Sequence, residues 1–250
     1  MKANGTGVWT GKERSGEVQW QRFLTPKEEA SKRVMEDTEK LRLEESLVAS
    51  IQRPDLGEAL ANLTEIGLDQ LLEEGPLRDI PVLGTLLRLR HTWGGVRDYI
   101  FARKVTRFLI SVGEIPLDER ERFIAKIKQQ EKQRQLGDTL LLLLDRLDDL
   151  EKPEVLARLF AAYMRGRYDL PTFRRLATAL ERILLVSLPA LRSFYSPDRQ
   201  GIQTGGEDME QFAFAGLVSI NFYMTDPGIT GGGFGPNDLG RLFLEVVDGV

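Results

Sequence analysis

The feature that most constrains the fold is a long segment, residues 82–112, in which two apolar stripes follow each other at helical spacing. The second stripe keeps the spacing of the first but is shifted by one residue, which rotates the apolar face by about 100°. A helix with two apolar faces needs two neighbours, so the pattern predicts the central helix of a bundle, bent near Gly94 and Gly95. The stripes consist of Val82, Leu86, Leu89, Trp93, Val96 and Ile100, and of Phe101, Val105, Phe108 and Val112.

The same segment is basic, although the whole chain has a net charge of −4. One interpretation is that long cationic side chains flank a buried stripe and reach solvent or acidic neighbours. The other is that they form a surface for anionic lipid, nucleic acid or an acidic protein. Spacing does not separate the two, so we treat these cations as a candidate binding surface. They are Arg88, Arg90, Arg97, Arg103, Lys104 and Arg107.

Composition limits the class of protein. With 250 residues, 42% of them hydrophobic, the chain is long enough for one large or two modest cores. Charged residues interrupt each apolar segment that could span a membrane, and polar sequence follows Met1 where a secretory signal would be apolar. The chain has no cysteine, which excludes disulfides and thiolate chemistry. We expect a cytoplasmic protein, with peripheral attachment to the inner membrane face as an alternative.

Histidine chemistry is not expected. The single histidine, His91, lies between Arg90 and Thr92 on the charged side of the predicted helix. Zinc motifs built from cysteine and histidine are absent. Without a recognisable catalytic set, the sequence predicts a protein that is not an enzyme, with no cofactor, no metal and no identified small-molecule substrate.

Three aspartates that follow the leucine run 140–144 are considered as possible ligands of a metal ion. Asp145 and Asp149 are four residues apart, which on a helix would place two carboxylates one turn apart for a magnesium ion, with Asp148 beside them. Arg146 and Lys152 are close in sequence, however, and favour a salt-bridged surface. We therefore assign no metal ligand here.

A glycine-rich segment, residues 225–238, follows a predicted strand at 217–224 and precedes a predicted helix. Phosphate loops occur in this setting. The segment nevertheless matches neither GxxxxGK[ST] nor GxGxxG, and Asp238 puts a carboxylate where phosphate would need bare amides. A hairpin turn or a mobile wing accounts better for the glycines.

Along the chain, three regions are predicted. Residues 1–25, with Trp9 and Trp20, lack a sustained period and are expected to form a flexible tail. Residues 26–195 are expected to form a helical bundle, and the polar connector after Ser196 separates a C-terminal subdomain, 196–250. The predicted helices cover 26–51, 55–72, 82–112, 118–135, 138–152, 153–167, 173–195, 209–215 and 239–247. Asp169 and Pro171 signal the start of the helix 173–195, and Pro189 is expected to kink or divide it.

The C-terminal region resembles the end of a winged-helix module. The carrying residues are Phe212–Tyr223, where a short helix ends in Gly-Leu-Val before a strand, and Asp238–Phe243 in the final helix. The resemblance implies DNA binding through a basic helix, but the helix before Gly216 is acidic, which disfavours phosphate contact. We expect a winged-helix-like α+β subdomain that binds protein or is structural, and a DNA-binding regulator is the alternative.

Residues 78–248 also resemble bacterial helical proteins of the abortive-infection type, which act in phage defence. The carrying residues are Ile80–Gly84, Arg97–Phe101 with Lys104, Leu141–Asp148 and Gly240–Phe243. The resemblance implies an effector or accessory that works by partner binding or at membranes. We therefore expect a mainly α multi-helix bundle whose partner is another protein or, from the heptad-like stripe, a second copy. An anionic membrane surface is a further candidate, and DNA is less favoured.

Overall fold

The computed structural model describes residues 8–14, 17–23, 43–61, 76–93, 95–127, 129–196, 206–225 and 229–249. The chain divides into two compact units, Met1–Leu43 and Glu44–Val250. The predicted helical segments 26–42 and 62–75 and most of the connector after Ser196 lie outside the described residues.

The first unit contains a β-hairpin where the sequence predicted a tail without regular structure. Strand β1 (Val8–Arg14) pairs antiparallel with β2 (Glu17–Phe23), in a register that runs from Val8 opposite Phe23 to Arg14 opposite Glu17. Two residues, Ser15 and Gly16, connect the strands, and such short glycine-containing connections favour hairpins. The prediction failed because it looked for a sustained period and not for this connection.

The second unit is mainly α, with a small α+β end, as the sequence predicted. Strands β3 (Val218–Thr225) and β4 (Ile229–Pro236) form an antiparallel pair near the C-terminus, and 3₁₀ turns cover Pro76–Asp79 and Leu185–Ser187. The helices are α1 (43–51), α2 (Leu56–Ala61), α3 (Pro81–Trp93), α4 (Val96–Gly113), α5 (Leu117–Lys126), α6 (Gln130–Arg146), α7 (Lys152–Met164), α8 (Leu170–Arg182), α9 (Leu188–Tyr195), α10 (Gly206–Phe214) and α11 (Asp238–Asp248).

The predicted central helix is two helices, α3 and α4. Gly95 has an extended backbone, with φ −99° and ψ 161°, and its N–H donates to the Asp98 carboxylate at 3.1 Å. That bond caps the start of α4, so Gly95 begins a second helix after α3 has ended at Trp93.

The break decides which parts of the two stripes are buried. Val82 and Leu86 of the first stripe are buried, but Val96, the first residue after the break, is 77% exposed. In the second stripe Val105 and Phe108 are fully buried. The second stripe therefore faces the core as predicted, whereas in the first stripe Val82 and Leu86 are buried and Val96 and Ile100, after the break, are exposed.

The core is centred on aromatic side chains of α4, α5, α7 and α8. Phe160 of α7 has its ring centroid 5.8 Å from that of Phe108, 5.6 Å from Phe123 and 5.9 Å from Phe173. All four phenylalanines are buried, and packed rings of this kind stabilise a core beyond the effect of their buried area. Helix α7 therefore shares the central position with α4, which packs against α2, α3, α6 and α7.

Helix α6 differs from its predicted bounds. The sequence predicted a helix over 118–135 and a new start at Gly137 or Asp138, whereas α6 runs through both residues. The preceding helix ends earlier because Ile127 leaves the helical conformation, with φ −86° and ψ 75°. Gly137 lies inside α6 where it crosses α1: a Cβ there would be 2.5 Å from the carbonyl oxygen of Glu44.

The C-terminal elements agree with the predicted bounds, except that the glycine-rich segment forms a strand. Gly216 has a positive φ of 78° just after α10, as a helix-ending glycine requires. Gly233 and Gly235 of β4 pair with Asn221 and Ser219 of β3. The predicted hairpin is present, and the glycines belong to its second strand.

Tyr195, the last residue of α9, forms hydrogen bonds with the residue just before β3 and with the residue just after β4. Its hydroxyl donates to the Leu217 carbonyl at 2.5 Å and accepts from the Asn237 N–H at 3.0 Å. Gly240 packs so closely that a Cβ would lie 2.2 Å from that hydroxyl oxygen. These bonds tie the elements after Ser196 to α9 within the compact unit Glu44–Val250.

Candidate functional site

The predicted basic surface is largely turned towards the segment that follows α6. Lys104 is only 8% exposed, and its ammonium donates to the carbonyl oxygen of Asp145 at 3.0 Å. Burial lowers the pKa of Lys104, and the nearby Asp145 and Asp148 carboxylates oppose that shift. Lys104 is therefore an internal group and does not present its charge to a ligand.

The other predicted cations divide between that segment and the surface. Arg97 pairs with the Asp145 carboxylate at 3.0 Å, but its side chain stays 83% exposed. Arg107 donates to the Leu150 carbonyl at 3.1 Å and pairs with Glu154 at 3.4 Å.

Two further cations make local contacts. The Arg103 guanidinium lies over the Tyr99 ring, 5.7 Å from its centroid, and Arg88 donates to the Thr85 hydroxyl at 3.0 Å. The side chain of Arg90 lies outside the described residues. The structure thus brings Arg97, Lys104 and Arg107 onto residues 145–154, whereas Arg88 and Arg103 contact residues of their own helices.

Basic side chains satisfy helix C-terminal carbonyls elsewhere in the unit as well. Arg120, 2% exposed, donates to the Ile51 carbonyl at 2.7 Å, where α1 ends. Such carbonyls lack partners within their own helix and carry the negative end of its dipole, so a cation is favourable there. Sequence reasoning missed this role because the acceptors are distant in sequence. The other such bonds are Lys152 to Glu181, Arg158 to Val247 and Arg182 to Phe214.

The aspartates weighed as metal ligands are not arranged for one ion. Helix α6 ends at Arg146, so Asp145 and Asp149 do not lie one turn apart on a helix. Asp148 instead pairs with Lys152, which confirms the salt-bridge interpretation of the sequence. Within the described residues, no three acidic or histidine side chains come together in a group that could hold a metal.

An open cleft of about 320 Å³ lies between α4 and α7, with Ser111, Glu114 and Arg158 in its lining. Two other charged groups of its wall are engaged in ion pairs, Glu154 with Arg107 and Arg165 with Glu119. Small-molecule sites are usually lined mostly by apolar side chains, and the lining of this cleft is mainly polar.

A more informative feature is a set of large apolar side chains that are exposed to solvent. Among the described residues, Val186 is 83% exposed, Phe214 79% and Val96 77%, Ile220 of β3 is 55% exposed, and three others are between 38% and 50% exposed. Isolated exposed residues of this kind are ordinary, but a group on neighbouring elements marks an interaction site. We call the group the helix-end surface; it consists of Val96, Ile100, Leu142, Leu184, Val186 and Phe214.

Contacts connect α4 to α6 and α8 along this surface. The first link is the Arg97–Asp145 pair between α4 and α6, and the second is the Arg146–Glu181 pair, at 3.9 Å, between α6 and α8. Leu142 lies three and four residues before Asp145 and Arg146, which is the same exposed face of α6.

Further contacts connect α8 to α10. The Arg182 guanidinium donates to the Phe214 carbonyl at 2.9 Å, and the Leu184 N–H donates to the Gln211 side-chain oxygen at 3.3 Å. The Ser187 hydroxyl donates to the Asp208 carboxylate at 2.7 Å. The segment that carries Leu184 and Val186 therefore lies along α10, and the elements bearing the helix-end surface form one connected series.

The helix-end surface has charged side chains at both of its ends. At the α4 end, the Arg97 side chain is free to solvent over most of its area. At the α10 end, Glu207 and Glu210 are exposed, seven and four residues before Phe214 and thus on the same helix face. Between these two ends of the surface, the ion pairs on α6 and α8 contribute both positive and negative charges. The α4 end therefore carries Arg97 together with the Asp145 carboxylate that pairs with it, and the α10 end carries Glu207 and Glu210 together with the exposed Arg182.

Comparisons of the chain with protein-family models, with curated proteins and with solved structures found no match. Each helix in the described ranges is too short or too polar to cross a lipid bilayer. The candidate site therefore rests on the geometry of the chain itself.

Proposed function

We propose that this chain is a non-enzymatic interaction protein that binds a protein partner through the helix-end surface. The observation that carries the proposal is the exposure of six large apolar side chains on connected elements, three of them at 77% or more. Burying one such side chain contributes about 1.5–3 kcal/mol, so a partner that covers several gains substantial affinity. The resemblance to bacterial phage-defence proteins gives the setting, that of an effector or accessory in the cytoplasm.

The proposal changes the role of the predicted cations. Arg97 contributes to the surface with its exposed side chain, whereas Lys104 and Arg107 hold the segment after α6. Charges at the rim of an interface mainly affect association rate and partner choice, and buried apolar contacts supply most of the affinity.

A phage-plating assay tests the proposal. Bacteria expressing the chain are challenged with a panel of phages, and wild type is compared with Phe214→Asp and with Ala125→Asp, which adds the same charge at an exposed position of α5. We expect wild type and Ala125→Asp to reduce plaque numbers and Phe214→Asp to lose that effect while unfolding at the same temperature. Full protection by Phe214→Asp would contradict the proposal.

A second candidate, attachment to an anionic membrane surface, is favoured by the start of α4. Val96 is 77% exposed beside Arg97, and exposed apolar and basic groups together suit anionic lipid headgroups. Co-sedimentation with phosphatidylglycerol vesicles but not phosphatidylcholine vesicles, lost on Arg97→Glu with Arg103→Glu, supports this candidate. Equal sedimentation with both kinds of vesicle, or with neither, removes it.

The DNA-binding alternative has less support. Glu207 and Glu210 are exposed on α10, where a recognition helix of a winged-helix module would need cations. Salt-sensitive DNA binding that is lost on Arg241→Glu would nevertheless favour it.

A further inference from the structure

We propose that Arg78 and Arg88 form a binding site for a phosphate group, in a small cleft beside the first turns of α3. The cleft has a volume of about 230 Å³ and is lined by these two arginines together with Gly84 and Leu87. It shares no residue with the helix-end surface, so the inference does not rest on the proposed function.

The charge of the cleft is positive, although the whole chain has a net charge of −4. Both charged residues of its lining are arginines, and within the described residues no carboxylate lines it. Two cations around one cleft repel each other when no opposite charge lies between them. An anion that enters the cleft removes this repulsion and is attracted by both arginines.

Both guanidinium groups have donors available for a ligand. In the described part of the chain, the exposed Arg78 makes no hydrogen bond and no ion pair, and Arg88 uses one donor on the Thr85 hydroxyl at 3.0 Å. A guanidinium has five N–H donors in a planar fork that matches the oxygens of phosphate. Most other arginines of the unit instead donate to a carboxylate or a carbonyl, as Arg120 and Arg192 do.

Close packing of backbone brings the two arginines to the same side of α3. A Cβ at Gly84 would overlap the carbonyl oxygen of Arg78 and lie 3.7 Å from its Cα, so the 3₁₀ turn Pro76–Asp79 rests directly on α3. Gly84 and Arg88 are four residues apart and therefore lie on one helix face, about 5.4 Å apart along the axis. Both side chains consequently start beside the same cleft.

Contacts with α1 and with the turn after it fix both walls of the cleft. The Val82 N–H donates to the Ser50 hydroxyl at 3.0 Å, and Arg53 donates to the carbonyl oxygen of Asp79. The pKa of Arg53 is raised by its hydrogen bond to Asp55 and further by the charge of Asp79, so the Asp79 carboxylate compensates Arg53 and is not part of the lining. A site on fixed elements loses little conformational freedom when it binds a ligand.

The size of the cleft and its apolar wall define the ligand. At about 230 Å³ it is smaller than the roughly 300–1,000 Å³ of sites for drug-sized molecules, which suits a single phosphate group held by charge-assisted bonds. Leu87 is half-buried and gives the apolar atoms of a phosphate ester a surface to contact. The phosphate belongs either to a small soluble molecule or to a lipid headgroup, and the chemistry of the site is the same for both.

NMR of the arginine Nε–Hε groups tests the proposal on the full chain, with inorganic phosphate as the probe at constant ionic strength. The signals of Arg78 and Arg88 are expected to shift along one saturation curve, with a Kd on the order of 1 mM. In Arg78→Gln the Arg88 signal should lose its saturable shift, because one arginine alone holds phosphate at least about tenfold more weakly. Arg88→Gln, read from the Arg78 signal, repeats the test from the other side.

The matched control is Arg175→Gln. Arg175 is an exposed arginine of α8 that is likewise unpaired in the part of the chain that the structure describes. Its own signal should not saturate with phosphate, and its replacement should leave the Kd at Arg78 and Arg88 unchanged.

Co-sedimentation with vesicles distinguishes the two sources of phosphate. Phosphatidic acid presents a phosphate monoester, whereas phosphatidylglycerol presents a diester. Binding to phosphatidic acid vesicles that exceeds binding to phosphatidylglycerol vesicles of equal charge, and is lost in Arg78→Gln, supports the site with a lipid headgroup as its ligand. A saturable titration by free phosphate without such sedimentation supports the site with a soluble ligand.

Three results would overturn the proposal. The first is the absence of a saturable shift up to about 20 mM phosphate together with no vesicle binding that depends on Arg78. The second is an equal shift of the Arg175 signal, which would show general attraction of anions to exposed arginines. The third is an unchanged Kd in both Arg78→Gln and Arg88→Gln.

Discussion

Gly137 lies against the carbonyl oxygen of Glu44, where α6 crosses α1. A Cβ built at Gly137 would be 2.5 Å from that oxygen, which belongs to backbone and has little room to move. Replacing glycine by alanine inside a helix normally stabilises it by about 1 kcal/mol. Here we expect Gly137→Ala to lower the free energy of unfolding instead, by about 1–3 kcal/mol, as measured by urea denaturation.

The matched control is Gly206→Ala. Gly206 begins α10, and a Cβ there would have no neighbour within 4 Å. We expect this variant to be as stable as wild type or slightly more stable. Equal behaviour of the two alanine variants would mean that α6 and α1 do not approach each other so closely.

Removing the Arg120 guanidinium should destabilise the unit strongly. Arg120 donates to the carbonyl oxygens of Ile51, Arg53 and Ile115, at 2.7 to 3.0 Å, and is 2% exposed. Arg120→Leu leaves these acceptors without their donor, so we expect a loss of about 3–5 kcal/mol in unfolding free energy.

Arg122→Leu serves as the comparison for Arg120→Leu in the same denaturation experiment. Arg122 pairs with Asp118, but both side chains are about 70% exposed, at 69% and 71%. Its loss should change stability by less than about 0.5 kcal/mol. A similar loss in both variants would argue against the buried carbonyl contacts.

Asp169 gives the stability of α8 a dependence on pH. Its carboxylate accepts the Thr172 N–H at 3.0 Å, and hydrogen bonding from Thr172 holds the pKa of Asp169 below its usual 3.8. A lowered pKa in the folded state means that the stabilisation is complete above pH 3.8 and is lost as pH falls through the folded value.

Asp169→Asn isolates this effect, because asparagine keeps an acceptor for the Thr172 N–H but does not titrate. The difference in melting temperature between wild type and variant should be constant above about pH 5 and should shift against wild type below about pH 3.8. The remaining carboxylates titrate in both proteins and largely cancel in the difference. A difference that stays constant down to about pH 2.5 would contradict the assignment.

Tyr195→Phe should weaken the attachment of the C-terminal elements. The change removes the bonds of the hydroxyl to the Leu217 carbonyl and the Asn237 N–H, at 2.5 and 3.0 Å. We expect a loss of about 1–3 kcal/mol and faster amide hydrogen exchange in β3 and at the start of α11. Unchanged exchange in both elements would show that this hydroxyl does not hold them.

Much of the bundle could be predicted because helical periodicity is a local property of the sequence. The spacing of Val105 and Phe108 identified a buried face, and Asp169 with Pro171 identified the start of α8, where the carboxylate caps the helix as expected. The last predicted bundle helix is divided between Arg182 and Leu188, and Pro189 lies in the first turn of α9, where a residue without an amide hydrogen is tolerated.

The remaining features depend on contacts between distant residues. Lys104 was assigned to a binding surface because its acceptor, the carbonyl of Asp145, is 41 residues away. Val96 was assigned to a buried stripe because its spacing continues that stripe. Spacing alone does not show that the helix is interrupted at Gly95. For the same reason the helix-end surface, which joins α4, α6, α8 and α10 through tertiary contacts, could not be found from any one segment.

The cations bonded to the helix C-termini have a consequence for how the larger unit unfolds. Four cations each belong to one helix and donate a hydrogen bond to a carbonyl oxygen of another element. They are Lys104, Lys152, Arg158 and Arg182. If one helix melts, its neighbour is therefore left with a cation or a carbonyl that has lost its hydrogen-bond partner. The neighbouring helix then becomes less stable as well. Such mutual dependence favours a single cooperative transition for Glu44–Val250 over the stepwise loss of separate helices.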